Sequence, residues 1–172
     1  INFFPNIKEN FYLSNHKLSI KYLEDNLYID GKGEILIQDN KDTFKYYVNK
    51  KNDILNFKTS LKINDNPLKI KSLNFKETNA LIQLEGTKNK KDEINIKDFI
   101  INEKKNRIGA QNIKFNKKFE IVKLGTVSLN YTDQENQKNQ IKFFPMKNRY
   151  ILKGSSFNAN SLIDELLFDD KD

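Results

Sequence analysis

Short runs in which apolar and polar residues strictly alternate constrain this chain more than any other feature. In residues 57–63 (FKTSLKI), the odd positions are apolar or Thr and the even positions are Lys or Ser. This period gives a strand one apolar face and one wet face. Roughly ten such runs follow one another, separated by clusters of Asn, Asp, Gly and Lys that are typical of tight turns. The pattern predicts an all-β fold in which an antiparallel sheet meanders.

Two runs share an irregularity that predicts curvature. In residues 68–75 (LKIKSLNF) and 94–101 (INIKDFII), the apolar positions change from even to odd numbers midway. One extra residue in a strand forms a β-bulge, which keeps the apolar side chains on one face and adds twist. We therefore expect a curved sheet, groove-shaped or taco-shaped, or a half-open barrel. The similarity of the two runs also suggests a weak internal repeat of hairpin size.

The end of the chain carries the only convincing helical pattern. Ser161 is the predicted N-cap, and Asp164 lies three residues further on, at the capping-box position. The predicted apolar side of this helix consists of Leu162, Ile163, Leu166 and Leu167. We expect the short helix to lie over the open apolar end of the curved sheet.

The 172 residues fit one domain with a real core. The predicted organisation is a lead-in over residues 1–16, a sheet over residues 17–157, and a capping helix with a charged tail over residues 158–172. Because the chain begins at Ile1 and not at Met, we expect a fragment of a longer protein.

The net charge of +7 raises the question of nucleic acid, but the pattern argues against it. Lysines supply almost all of the charge, and they alternate with apolar residues, which is typical of a solvated face. Residues 44–51 (FKYYVNKK) and 142–150 (KFFPMKNRY) interleave aromatic and cationic residues as a single-strand nucleic-acid groove would. The two-residue alternation, however, places Phe44 and Tyr46 on the same face as Val48, and Phe143 on the same face as Ile141. These rings are therefore expected to point towards the core. No nucleic-acid partner is predicted.

The chain offers little for catalysis. It contains no Cys, and His16, its only His, stands in a polar context where a solvated side chain is expected. Ser155 and Ser156 follow Gly154, but their spacing is not that of a nucleophile elbow. We therefore predict that the protein is not an enzyme, with no catalytic, cofactor-binding or metal-binding residues.

The last strand and helix carry a family resemblance. Residues 150–167 read YxLxGxSFxAxxLIxxLL, and several one-faced strands begin with an "IKxL"-like sequence. This pattern resembles the AsmA-like envelope proteins of Gram-negative bacteria, of the YhdP and TamB type, in the β-repeat segment near their C-terminal part. In that family a strand ends in Gly and a Ser-Phe-Asp-like turn leads into a Leu-rich helix. The matching residues here are Gly154, Ser156, Phe157, Asn158, Ala159 and Leu162 to Leu167, with Asn158 where Asp is expected.

The resemblance implies a function in lipid transport. Such a protein is anchored in the inner membrane by a segment outside this one, extends through the periplasm by means of neighbouring β-repeats, and conducts phospholipids towards the outer membrane. Acyl chains would lie on the apolar face and head groups would stay in water at the rim. The candidate groove residues are Phe57, Leu61, Ile63, Ile70, Leu73, Phe75, Ile82, Leu84, Ile96, Phe99, Ile101, Phe115 and Leu129.

Two other functions remain open at this point. In a structural β-sandwich or assembly spacer, a second sheet would cover the apolar face and nothing would be transported. A single-stranded nucleic-acid-binding β-domain would place its aromatic residues and lysines together on one exposed face.

Overall fold

A computed structural model describes residues 12–168, which form one large antiparallel sheet, a small hairpin and a short helix. The strands are β1 (Tyr12–Leu23), β2 (Asn26–Leu36), β3 (Lys41–Lys51), β4 (Ile54–Lys62), β5 (Leu68–Ile70), β6 (Phe75–Glu77), β7 (Leu81–Lys88), β8 (Ile94–Glu103), β9 (Asn106–Phe115), β10 (Ile121–Lys123), β11 (Thr126–Thr132), β12 (Lys138–Met146) and β13 (Arg149–Ser156). The helix α1 spans Asn160–Phe168. The prediction of an all-β class with one short C-terminal helix is confirmed.

The large sheet is a meander that stays open. Its strand order is β1-β2-β3-β4-β7-β8-β9-β11-β12-β13, with β10 paired to β9. Each strand in this order pairs antiparallel with its neighbour, and β1 and β13 form the two edges. Strands β5 and β6 leave the sheet and form a separate hairpin. The single departure from the meander within residues 12–168 is therefore the segment between β4 and β7.

Two of the tight hairpins use turn residues that tolerate left-handed backbone. Glu24 and Asp25 join β1 to β2, and Asn52 and Asp53 join β3 to β4; in both pairs φ is 47° and then 63°. Positive φ at both central positions defines the type I′ turn, whose twist matches that of the flanking strands. Asn and Asp are among the few residues with side chains that adopt this conformation readily.

Three longer turns share one hydrogen-bonding pattern. They are residues 89–93 (NKKDE), 116–120 (NKKFE) and 133–137 (DQENQ). In each, the first side chain accepts hydrogen bonds from the backbone N–H groups two and four residues later, and the fourth residue has φ near 60°. The clearest repeated unit in the described chain is therefore an Asx-type hairpin turn.

Only one of the two predicted bulges is present. In β8, Ile96 pairs with Gly86 and Asp98 with Glu85, which leaves Lys97 as the extra residue. Residues 68–75 instead reverse direction: a 3-10 turn at Lys71–Leu73 follows β5, and Ile70 pairs with Phe75 across the hairpin. A change of the apolar positions from even to odd numbers results from a bulge and equally from a chain reversal. The predicted repeat between these two runs is therefore wrong.

The helix starts earlier and packs elsewhere than the sequence predicts. It begins at Asn160, so Ser161 lies inside its first turn. The Asn160 N–H donates to Asn158 Oδ1 at 3.3 Å, a local cap of the kind predicted for Ser161. In residues 12–168 the main neighbour of α1 is the 3-10 turn between β5 and β6. None of the helices in this range has the length and hydrophobicity that a membrane span requires.

The predicted apolar side of the helix is largely uncovered. Ile163, Leu166 and Leu167 are exposed, whereas Leu162 is half-buried. The helix therefore does not cover the apolar face with the four residues expected. The cover comes instead from the hairpin insert. The helix lies beside the insert, against the 3-10 turn, and a hydrogen bond from Asn158 to Asp133 holds its start there.

The boundaries also move. Strand β1 begins at Tyr12, so residues 12–16 belong to the sheet and not to a lead-in. His16 lies in the bulge of β1, where its ring stacks on Tyr46 with centroids 5.7 Å apart. Residues 1–11 and the charged tail at 169–172 lie outside the described residues.

The core lies at one end of the sheet, under the insert formed by residues 64–79. Side chains of the insert pack onto the ends of β8, β9 and β11. The buried cluster contains Ile63, Leu68, Ile70, Phe75, Ala80, Ile101, Ile108, Leu129 and Tyr131. The insert therefore works as a partial second layer over one end of the sheet.

Candidate functional site

The strand register collects the apolar side chains in rows that cross one face of the sheet, here called the apolar face. One row consists of Ile29, Val48, Phe57, Gly86, Ile96 and Ile113. The next consists of Tyr46, Thr59, Leu84, Phe99, Ala110, Val127 and Phe143. A third consists of Phe44, Leu61, Ile82, Ile101, Ile108, Leu129 and Ile141. The alternation that predicted strands thus also places these residues on one surface.

The insert seals the end of the apolar face nearest the third row. The ring of Phe75, 2% exposed, packs edge-to-face on Tyr131 with centroids 5.6 Å apart. The Tyr131 hydroxyl donates to the Leu73 carbonyl at 2.8 Å, and burial raises the pKa of this phenol. A buried tyrosine with a satisfied hydroxyl fixes the insert on the sheet. We call this region the sealed part.

Nine of the thirteen predicted groove residues belong to the sealed part. Five lie in the buried cluster: Ile63, Ile70, Phe75, Ile101 and Leu129. Four pack against that cluster: Leu61, Leu73, Ile82 and Phe99. The five cluster side chains are covered by the protein itself, so they stabilise the fold and are closed to a ligand in this structure. The reason is the reversal at residues 71–73, which folds the insert over them.

The rest of the apolar face has no layer over it among residues 12–168. Nine of the apolar-face side chains that lie outside the buried cluster and its packing neighbours are here called the open part: Ile29, Val48, Leu55, Phe57, Leu84, Ile94, Ile96, Ile113 and Phe115. The described elements outside the large sheet are the β5–β6 hairpin, the 3-10 turn and α1. The insert packs at the end of the sheet near the third row, and α1 lies against the insert. The other four predicted groove residues lie in the open part: Phe57, Leu84 and Phe115 are half-buried, whereas Ile96 is only 7% exposed.

Five residues of the open part were not among the predicted groove residues. They are Ile29, Val48, Leu55, Ile94 and Ile113. Their alternation was visible in the sequence, but which strands lie under the insert was not. The register supplies that information, because it aligns Val48 and Ile113 with Phe57 on strands far apart in sequence.

Aromatic rings fill two positions of the apolar face that lack a side chain. A Cβ atom added to Gly31 would meet the ring of Tyr46 at 2.1 Å, and one added to Gly86 would meet the ring of Phe57 at 2.8 Å. The rings therefore lie over glycines of the neighbouring strand. This arrangement flattens the surface of the open part, since a ring occupies the space of two side chains.

A glycine replacement tests this packing. We expect Gly86→Ala to destabilise the protein by about 1–3 kcal/mol, because the new methyl would also lie 2.6 Å from the Asn95 carbonyl oxygen. Gly109→Ala is the matched control, since its Cβ would lie 3.7 Å from the nearest atom. Urea denaturation of both variants checks the difference. Equal stability of the two would contradict the ring packing described here.

A buried acidic network closes one corner of the sealed part. Asp42 is fully buried; it accepts hydrogen bonds from the Asn64 N–H at 2.9 Å and from Asn66 Nδ2 at 2.8 Å. Burial raises the pKa of the Asp42 carboxyl in spite of these donors. Asn66 Nδ2 also donates to the Asn40 carbonyl at 2.6 Å. The network ties the insert to the connection between β2 and β3.

A second network holds the other side of the insert and the helix. Asp133 accepts hydrogen bonds from the N–H groups of Glu135 and Gln137 at 3.0 and 2.8 Å and from Nδ2 of Asn139 and Asn158 at 3.3 and 3.0 Å. Burial alone would raise the pKa of the Asp133 carboxyl, but these four donors together lower it. Asn158 therefore links the start of the helix to the turn between β11 and β12.

The open part offers apolar contact and little else. In residues 12–168, no group of three or more His, Asp or Glu side chains is arranged to hold a metal ion. The ring of His16 lies on the ring of Tyr46, with 3.2 Å between Nε2 and the hydroxyl oxygen. The statement that the protein is not an enzyme stays a prediction.

Comparison with known proteins adds no family to this geometry. No protein-family model, no curated protein and no solved structure matches the chain. The apolar face itself is therefore the feature that bears on function.

Proposed function

We propose that this protein binds phospholipid acyl chains on the open part of its apolar face and conducts them along the sheet. The single observation that supports this proposal is an apolar surface over which no second sheet and no helix lies among residues 12–168. Eight of the nine side chains of the open part are half-buried, and the ninth, Ile96, is 7% exposed. Contiguous apolar surface that water still reaches is a mark of binding to lipids or to other proteins. An antiparallel sheet with one apolar face needs a cover, and bound acyl chains can supply it.

The open part has dimensions that suit an acyl chain. The row from Ile29 to Ile113 crosses six strands, which at the usual strand spacing gives a length of about 24 Å. An acyl chain in one leaflet occupies roughly half of the 30 Å hydrocarbon core, or about 15 Å. One chain could therefore lie along this row. Each methylene removed from water would contribute about 0.8 kcal/mol.

The border of the open part can receive a head group. Lys50 and Lys88 lie on the apolar face in the row of Leu55, next to the hairpin turns. Lys50 is exposed, whereas Lys88 forms an ion pair with Asp92 at 2.7 Å. A lysine beside an apolar strip favours a phosphate at the rim with the acyl chain on the strip.

The wider proposal follows from the resemblance to AsmA-like proteins of the YhdP and TamB type. This chain would be one segment of a periplasmic bridge between the inner and outer membranes, anchored through a segment outside it. Among residues 12–168, β1 and β13 form unpaired edges, which supports this arrangement because neighbouring β-repeats of the same chain could continue the sheet there. The proposal involves no catalysis, cofactor or nucleic acid.

Photocrosslinking to lipid tests the proposal directly. We expect the protein to crosslink to a phospholipid that carries a diazirine on its acyl chain, and Ile113→Glu to lower the yield at least about tenfold, because a carboxylate on the strip opposes acyl burial. Lys114→Glu is the matched control, since Lys114 is the next residue of β9 and points to the opposite face. The yield is measured by mass spectrometry of the crosslinked protein.

The folded state of each variant is checked by circular dichroism and urea denaturation. Equal crosslinking yields for a folded Ile113→Glu and for Lys114→Glu would contradict the proposal, because the lipid would then not lie on the apolar face. Extraction of the purified protein should also release phospholipid.

A second candidate is the structural spacer, which one observation favours. Edge strand β1 exposes Leu18, Ile20 and Tyr22 on the apolar face, so another sheet could pair with the edge and cover it. A spacer of this kind predicts that the protein self-associates and crosslinks to no lipid. Light scattering over a range of concentrations, together with the lipid experiment, separates the two functions.

A further inference from the structure

Three lysines stand side by side on the face opposite the apolar face, here called the polar face. Lys17 of β1 pairs with Lys32 of β2, which pairs with Lys45 of β3. Like charges directly opposite each other on neighbouring strands destabilise a sheet. None of the three forms an ion pair with another described residue. The fold therefore places three ammonium groups side by side, with Asp30 as the one carboxylate among the residues of the neighbouring cleft.

The lysine row borders a cleft of about 530 Å³. Its other wall is the row formed by Asp30, Tyr47 and Lys58, also on the polar face. Between the two walls, the floor is backbone of the row that contains Gly31, whose side chains point to the apolar face. The cleft thus opens on the polar face and is separated from the open part by the thickness of the sheet.

The charges of the cleft favour an anion of a certain size. Four lysines face the single carboxylate of Asp30, and Lys58 has a carboxylate partner only at 3.8 Å, in Glu85. Neighbouring side chains in a cross-strand row start about 5 Å apart, so the three ammonium groups can span roughly 10 Å. One phosphate is too small to reach all three, whereas an anion with two or more phosphate-type groups can. Tyr47 and Lys58 add a hydroxyl and a further cation on the opposite wall.

We infer that this cleft binds an anion that carries two or more phosphate-type groups. The anion neutralises the lysine row, and its oxygen atoms accept charge-assisted hydrogen bonds from the ammonium groups. Either a phosphorylated lipid head group or a free phosphorylated molecule supplies this chemistry. The inference does not depend on the proposed acyl binding, because the two sites lie on opposite faces.

Titration with inorganic diphosphate tests the cleft. By calorimetry at low salt, the double variant Lys32→Gln/Lys45→Gln is expected to bind diphosphate at least about tenfold more weakly than the natural chain. The matched control is Lys142→Gln/Lys153→Gln, because these two lysines also pair directly across strands but lie on β12 and β13, away from the cleft. This control should keep the natural affinity. Diphosphate should also raise the melting temperature of the natural chain and of the control, but not that of the cleft variant.

Vesicle binding distinguishes the two sources of the anion. Sedimentation is measured with phosphatidylcholine vesicles that contain or lack a phosphorylated phosphoinositide. Binding that needs both the phosphoinositide and Lys32 with Lys45 supports the site with a lipid head group as its source. Diphosphate binding without vesicle binding supports the site with a free phosphorylated molecule.

Two results would overturn the inference. The first is the absence of a specific role for the lysine row. It would appear as an equal loss of diphosphate affinity in the cleft variant and the control, or as no measurable affinity of the natural chain for diphosphate or for the phosphoinositide vesicles. The second is an oligonucleotide affinity far above that for diphosphate that depends on Tyr47, since this would indicate a nucleic-acid surface.

Discussion

Replacing Phe75 with alanine is expected to lower the free energy of unfolding by about 3–5 kcal/mol, the usual loss for a buried phenylalanine. Phe75 is 2% exposed, and it lies in the hairpin insert against Tyr131 of the sheet. Its removal would leave a cavity between the two layers and take away the edge-to-face contact. Urea denaturation followed by circular dichroism gives the free energy of both proteins.

Phe119→Ala is the control for this experiment. Phe119 is 73% exposed at the tip of a hairpin turn, so its removal should change stability by no more than about 0.5 kcal/mol. If Phe75→Ala lowered the free energy of unfolding by less than about 1 kcal/mol, this would contradict the sealed part as described. Removing a side chain that is buried between two layers should destabilise the protein by more than that. So small a loss would also imply that the insert opens, which would enlarge the apolar surface available to a ligand.

Replacing Asp133 with alanine is expected to cost about 3 kcal/mol at neutral pH, because four hydrogen-bond donors lose a charged acceptor. Asp133→Asn separates the two halves of this network. Its carbonyl oxygen can still accept from the backbone N–H groups of Glu135 and Gln137, whereas its amide group would face two other amide donors, those of Asn139 and Asn158. The turn should therefore persist while the link to the helix is weakened, since Asn158 keeps its bonds to Asn139 Oδ1 and Glu135 Oε2.

Hydrogen exchange resolves this separation. In Asp133→Asn, the Ile163 N–H, which donates to the Ala159 carbonyl within the helix, should exchange faster than in the natural chain. The Gln137 N–H should keep its protection. Faster exchange at Gln137 with no change at Ile163 would contradict the role given to Asn158.

The stability difference between the natural chain and Asp133→Asn should depend on pH in a definite direction. Because the folded pKa of Asp133 is lowered, its stabilisation is complete above the ordinary value of 3.8 and is lost as the pH falls through the lowered folded value. Asn does not titrate, so the stability difference between the natural chain and Asp133→Asn should narrow below pH 3.8. Asp42, whose raised pKa has the opposite effect, is the same in both proteins and cancels in the comparison.

Much of the sheet was predictable from the sequence, because strand pairing repeats a local rule. Alternation in residues 57–63 places Phe57 and Leu61 on the same face whatever lies across from them. Glu24-Asp25 and Asn52-Asp53 are short enough to force antiparallel neighbours, which fixes the pairing of β1 with β2 and of β3 with β4. The bulge at Lys97 was visible for the same reason, as a change of parity within one run.

The candidate site was predictable only in part. Residues 68–75 carry the same parity shift as residues 94–101, but one is a reversal and the other a bulge. The choice between them depends on whether the segment can bury Phe75 against Tyr131, a contact between residues far apart in sequence. This reversal moved five predicted groove residues into the buried cluster.

The cleft on the polar face was also not predictable from the sequence. Lys17, Lys32 and Lys45 are separated by ordinary alternating sequence, so in the linear chain each is typical of a solvated face. They become neighbours through the register of three strands. Alternation with apolar residues predicted a solvated face for these lysines, but not that three of them would stand side by side.

The sequence by itself determined which side chains share a face, since that depends only on the two-residue period of a strand. The tertiary structure decided which part of the face is covered and which lysines meet, since these depend on register and on where the insert folds back. Covering a strand requires contacts between distant segments, and local periodicity carries no information about them.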